Sequence, residues 1–267
     1  MDLERIDKIL NSILELERYP IGIKFIFTEE EYDKLDAEES KNKTSYCRFV
    51  SRASEGRKLK IHKGHNACSG GAVALGFQSV LPESASGIRR LKTGTYRDLG
   101  VSRKISKGMS YCEHKIFGVS IMPLKDYKEE PDVVIFVCKP YQAMRLVHAY
   151  SYHYGHANDI KLSGMQAICE ECTSYPYENG CFNMSMMCSG TRMMAGWKDD
   201  EMAVGMPYRI FLNVVDGLIN TINPLERNKH KKIIKEKLEQ NNLSDLLDIK
   251  MNQNYDDNCY IGGIVEK

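Results

Sequence analysis

PDVVIFVCKPYQAMRLVHAYSYHYG, residues 131–155, decides the fold class. Val133 to Cys138 is a continuous apolar run bounded by prolines, the length of a buried strand and too short for a core helix. After Pro140 the pattern YQAMRLVHAYSYHYG is helical. A buried strand running into a helix points to an α+β (mixed α/β) domain. Working outward, GVSIMPL (118–124) reads as a second strand, and AVGMPYRIFLNVVDGLINTI (203–222) as a strand or loop leading into a helix. IGIKFIF (21–27) reads as another strand, followed by the acidic, solvated stretch EEEYDKLDAEESKNK (29–43), a surface helix and loop. Ile6, Leu10, Ile13, Leu14 and Glu17 follow helical spacing from Asp2, and Tyr19-Pro20 ends that segment, because the residue before proline is pushed out of the helical region. A Lys-rich helical tail runs from Leu225 to Ile249 and ends in the polar NQNYDDN (252–258).

No low-complexity linker divides the 267 residues, which predicts a single domain. An internal echo suggests that it is a duplicated strand/Cys-Ser-Gly-helix unit, with halves of about 1–125 and 126–222 and a C-terminal tail at 223–267. CSGGAVALGF (68–77) and CSGTRMMAGW (188–197) share Cys, Ser, Gly and a later Gly at the same offsets, each followed by an aromatic, 120 residues apart. Cys47 lies 21 positions before Cys68, Cys169 lies 19 before Cys188, and Pro20 and Pro140 are also 120 apart.

The chain holds 37 Lys+Arg and 36 Asp+Glu, so no global charge draws it to nucleic acid or an anionic membrane. No apolar run approaches the roughly 18 residues of a spanning helix. The N-terminus MDLERIDKIL lacks the basic region, apolar stretch and cleavage site of a secretory signal, so a cytoplasmic address is expected. In a reducing compartment nine cysteines, an odd number, are not a disulfide framework, and a core of this size needs no staples. Metal or cluster ligation becomes the leading question.

Cys-Ser-Gly before a helix has a physical use: glycine permits a tight turn, and the free amides of a helix start favour a thiolate. Two such places, each with a cysteine about 20 residues earlier, supply four thiolates if the halves pack face to face. Cys47, Cys68, Cys169 and Cys188 are therefore the expected cofactor and metal ligands, for a [4Fe–4S] cluster first and zinc as the alternative. Cys172 or Cys181 could replace one of the four, because Cys169-Glu-Glu-Cys172 is a lone C-x-x-C. Cys138 inside an apolar strand reads as a packed thiol, and Cys112 and Cys259 have no partner pattern. The bland reading makes all nine plain thiols.

Arg192, four positions after Cys188, could place a positive charge beside a cluster or clamp a carboxylate, or could pair with Asp199, Asp200 or Glu201. His65, with His62 and Lys63 just before Cys68, could donate to cluster sulfur or substrate, although a solvated basic loop with Lys58 and Lys60 explains it as well. Arg192 and His65 are the candidate catalytic residues. His148, His153 and His156 in HAYSYHYGH offer a third reading, a haem or corrinoid site. The methionines Met184, Met186, Met187, Met193 and Met194 read as core or as an adaptable pocket wall. There is no G-x-G-x-x-G, P-loop, G-x-S-x-G or H-E-x-x-H.

YPIGIKF, Cys47, HNACSGGAVALGF, PDVVIFVCKPYQAMRL, AICEE around Cys169, the Cys188 to Arg192 segment and VGMPYRIF occur in the order of an uncharacterised family, the ArCR-type proteins or domain of unknown function 169, which the chain resembles from Tyr19 to about Leu218. CSGGAVALG and PDVV are the most specific parts. The resemblance implies cysteines at 47, 68 and 169 and a frequently acidic residue at the position of Cys188, hence three thiolates with one open iron as a variant. It supplies no reaction. The expected function is an iron–sulfur protein in electron transfer or low-potential oxidoreductase chemistry. The alternatives are an open iron acting as a Lewis acid in a lyase or desulfurising reaction, and a zinc-thiolate structural or metal-handling protein. Expected partners are a redox protein or a small-molecule substrate, with a homo-oligomer a further option.

Overall fold

The structure, a computed structural model, describes residues 2–250. Seven strands form one sheet: β1 (Ile21–Ile26), β2 (Glu38–Glu39), β3 (Leu59–His62), β4 (Gly118–Pro123), β5 (Val133–Cys138), β6 (Asn183–Ser185) and β7 (Met202–Pro207). Their order is β2-β3-β4-β1-β5-β7-β6, antiparallel throughout except for the parallel β2–β3 edge. Helices cover both faces, so the fold is α+β.

β5 shows how the sequence builds these layers. All six of its side chains are buried, and a strand turns alternate residues to opposite faces. Val134, Phe136 and Cys138 meet the helices Leu3–Leu14, Pro140–Tyr154, Tyr208–Asn220 and Asn228–Gln240 in one core, together with Met202, Val204 and Met206 of β7. Val133, Ile135 and Val137 join the second core on the other face, under the helix Tyr46–Ser54 and the π-helix Ala167–Ser174. Each Val, Ile or Phe so buried contributes about 1.5–3 kcal/mol. Cys138 belongs to the first face, where burial pushes its thiol up to about 12, so it is a packed thiol.

The six central strands map onto themselves when β1 is exchanged with β5, β4 with β7 and β3 with β6. In both halves the second cysteine follows the edge strand and caps a short helix: Cys68 before Ser69–Ala74 and Cys188 before Ser189–Ala195. This is the arrangement a duplicated unit would produce. The proline pair is no part of it, since Pro20 leads into β1 whereas Pro140 opens the helix after β5. The halves differ by their insertions, the helices between residues 82 and 108 in the first and Pro140–Tyr154 in the second.

The first helix stops at Leu14, earlier than the apolar spacing suggests. Glu15 takes a left-handed conformation (φ 50°) and its amide closes the helix on Asn11, which frees Glu17 to meet Lys139 and Lys198. The Lys-rich tail forms Asn228–Gln240 and Asp245–Lys250; Cys259 and the NQNYDDN stretch lie outside the described residues.

Candidate metal centre

Of the sequence-predicted cysteines, Cys47 and Cys169 lie in the second core and Cys188 packs against it. Cys47 sits in the first turn of Tyr46–Ser54, a helix that starts because Ser45 caps it by accepting the amide of Arg48. Cys169 sits in the π-helix, whose i→i+5 pattern is concentrated at functional sites. The two thiols, one from each half, are buried, and the Cys169 sulfur donates to the Gln166 carbonyl at 3.5 Å; Cys47, Cys68 and Cys188 lie close enough for their charge to act on Cys169. Cys68 and Cys188 are half-buried and form the rim. Cys169 and the Thr191 hydroxyl hold the Cys47 thiol below its usual range, while Cys47, burial and the neighbouring sulfurs push Cys169 up.

Cys47, Cys68, Cys169 and Cys188 thus face one region, although no three of the described cysteine sulfurs lie within 4.8 Å of one another. Cys172, fully buried one turn beyond Cys169, also feels Cys47 and remains an alternative fourth donor. Cys181 is instead tied to the Tyr175 hydroxyl, and Cys112 is a buried thiol raised by desolvation.

Supporting residues hold this geometry. Gln166, just before the π-helix, is forced to φ 52°; its side chain donates to the Gly70 carbonyl at 3.1 Å and accepts from Arg90 at 2.7 Å. It therefore joins the Cys68 helix to the Cys169 helix. Met187, immediately before Cys188, is likewise left-handed (φ 64°). Such non-glycine strain costs of order 1–3 kcal/mol and clusters at functional sites. The Asn66 side chain brackets Cys68 by accepting its amide (3.1 Å) and donating to its carbonyl (3.1 Å). The Cys188 sulfur accepts the amide of Thr191 at 3.4 Å, and the Thr191 hydroxyl accepts from Trp197 at 3.2 Å.

The two candidate catalytic residues, Arg192 and His65, are both engaged by groups of the chain itself. Arg192 donates to the backbone carbonyls of Met186 (3.0 Å), Lys198 (2.5 Å) and Glu201 (2.9 Å), because the chain wraps around its guanidinium. Its expected acidic partner Glu201 pairs with Arg18 at 2.6 Å. Arg192 is thus a positioning residue for the Cys188 loop. His65 and His62 turn their Nε2 atoms to Glu39, and their Nδ1 atoms accept backbone amides. The histidines of HAYSYHYGH ride on the helix Pro140–Tyr154 and just beyond it, over the first core; His153 pairs with Asp216 at 3.0 Å and His156 is exposed. They converge on no common centre. Met187 is buried in the second core, whereas Met186, Met193 and Met194 are exposed near Cys188.

Glu170 is a buried carboxyl that the sequence reading passed over. It sits beside Cys169 and lines a cleft of about 290 Å³ with Lys104, Met109, Lys161 and Ser163. Burial lifts it from 4.5 to about 7, with the charge of Glu171 adding to this and the Ser110 amide at 3.0 Å opposing it. A carboxyl raised by folding favours the native state below its unfolded value, and that contribution is lost as pH rises through about 7. Glu170→Gln, which mimics the protonated acid, is expected to leave stability near wild type at pH 4 and to exceed it by roughly 2–3 kcal/mol at pH 8. Denaturant melts of the metal-free protein at the two pH values check this; an equal difference at both would refute it.

The sequence profile of the uncharacterised ArCR proteins, a domain of unknown function, matches residues 9–217. That span contains all seven strands and Cys47, Cys68, Cys169 and Cys188. A curated relative, an uncharacterised protein of Methanocaldococcus jannaschii, is 29% identical over 217 residues, covering 79% of this chain and 91% of its own. No solved structure matches the chain. By the extent of the profile match, the chain belongs to the uncharacterised ArCR family, domain of unknown function 169.

Proposed function

We propose that the protein binds an iron–sulfur cluster of the [4Fe–4S] type through Cys47, Cys68, Cys169 and Cys188, and serves in electron transfer or low-potential oxidoreductase chemistry. The observation that carries this reading is that Cys47 and Cys169 are buried in one core against which Cys188 packs, while Gln166 ties the helix capped by Cys68 to the π-helix of Cys169. The donor set fits: four sulfurs from four different elements, two in a dry core and two at a half-exposed edge.

When bound, such a cluster supplies one-electron chemistry. The chain's own residues would set its environment. The buried side excludes water at Cys47 and Cys169, and the half-exposed rim at Cys68 and Cys188 offers the short path that electron exchange needs. The amide of Thr191 on the Cys188 sulfur is the kind of hydrogen bond that raises a cluster's potential. The exposure of Cys188 also favours one second reading, three thiolates holding a cluster whose fourth iron is open to a small-molecule substrate as a Lewis acid. Partner and location complete the proposal: a redox protein or small molecule, in the cytoplasm, where thiols stay reduced. None of the eight described cysteines is in a disulfide, and no described helix is long and apolar enough to cross a membrane.

Anaerobic reconstitution with ferrous iron and sulfide tests the assignment. The expected result is a broad visible absorption that bleaches on reduction and gives an electron paramagnetic resonance signal; protein that stays colourless overturns it.

A further inference from the structure

We propose that Glu39, His62 and His65 form a site for one divalent transition-metal ion of the zinc or cobalt type, separate from the cysteines. The short parallel pairing of β2 with β3 brings Glu39 beside Lys60, two residues from His62 at the end of β3. The turn Lys63–His65 then folds His65 back, so that the two imidazole rings lie 4.1 Å apart. All three donor atoms fall within 4.8 Å of one another, and among the described residues this is the one such group of His, Cys, Asp or Glu.

The distances separate metal chemistry from hydrogen bonding. Glu39 Oε1 stands 3.4 Å from His62 Nε2 and 3.6 Å from His65 Nε2, beyond the usual 2.7–3.2 Å of an N–H···O bond. Tetrahedral zinc with nitrogen and oxygen ligands at about 2.0–2.1 Å sets neighbouring donors about 3.4 Å apart. Two imidazoles and a carboxylate match the borderline cations that prefer nitrogen and oxygen. The Tyr32 hydroxyl, 3.3 Å from Glu39 Oε1, orients that carboxylate, and its ring packs edge-on to His62. The side chains of Glu39 and His62 are 49% and 37% exposed, so an ion reaches the site and water can complete its coordination. One feature limits affinity. The Nδ1 atoms of His62 and His65 accept the amides of Gly64 (3.0 Å) and His62 (3.2 Å). A neutral imidazole ligating through Nε2 carries its proton on Nδ1, so binding breaks these contacts. Lost support of this kind weakens a site by roughly 10–100-fold, which predicts a modest rather than a tight site.

The test is cobalt(II) titration of the full-length chain, followed by absorption and by metal content after dialysis. The expected result is one equivalent of cobalt showing ligand-field bands without thiolate charge transfer. It should bind at least about tenfold more weakly in Glu39→Gln and be lost in the double variant His62→Gln/His65→Gln. Should the double variant fail to fold, Glu39→Gln alone, a change at an exposed edge, decides the matter. Uptake unchanged in Glu39→Gln, or thiolate charge transfer from every bound ion, overturns the proposal.

Discussion

Alanine at position 205 is expected to destabilise the protein by about 3 kcal/mol or more, lowering its melting temperature by roughly 6–12 °C, and to abolish loading of the cysteine centre. Gly205 pairs with Ile135 and shares the second face of β7 with Ala203, beneath the π-helix. A β-carbon there would lie 2.6 Å from Cys172 Cα and 2.7 Å from its carbonyl carbon, with the carbonyl oxygen closer still. These are backbone atoms, so the π-helix must lift, and Cys169 lifts with it. Gly217→Ala supplies the control. It clashes with the Ala149 backbone on the opposite face, and should cost comparable stability while the remaining folded protein still binds metal. Thermal melts with iron analysis of the folded fraction separate the two. A Gly205→Ala protein that melts and loads like wild type would show that the strand and the π-helix are not in contact.

The second large effect concerns the four cysteines individually. Cys169→Asp is expected to eliminate loading of the proposed cluster, because it removes a buried thiol and leaves a carboxylate in a dry core beside other anionic donors. Cys188→Asp should retain iron and sulfide, because that residue lies on the half-exposed rim, where an oxygen donor or water can replace the thiolate. Iron and acid-labile sulfide of the two variants after anaerobic reconstitution provide the measurement. Equal loss in both would mean that Cys188 is as essential as Cys169, and equal retention would remove Cys169 from the ligand set.

Much of this architecture was legible wherever a local pattern and the tertiary environment agree. β1, β4, β5 and β7 each bury nearly every side chain, so their apolar runs stand out. β2, β3 and β6 have two to four residues and no pattern long enough to read; pairing with neighbours creates them. The π-helix was illegible because AICEECTS carries no signal for i→i+5 bonding, and its start depends on Gln166 held left-handed by Gly70 and Arg90. The cysteines emerged from the echo because a reactive residue type recurs at matched spacing in the two halves. Thr191, Gln166 and Glu170 had no such marker. Glu39 was hidden in an acidic stretch read as solvated, and only the short β2–β3 edge turns it toward His62. Arg192 was noticed for its charge, whereas the fold uses its geometry, three donors closing one loop on backbone oxygens.

The inorganic content of the wild-type chain purified without oxygen tests the cysteine centre most directly. About four iron and four acid-labile sulfide per chain are predicted, in brown protein. Colourless protein carrying zinc and no sulfide, or no metal at the cysteines, would contradict it.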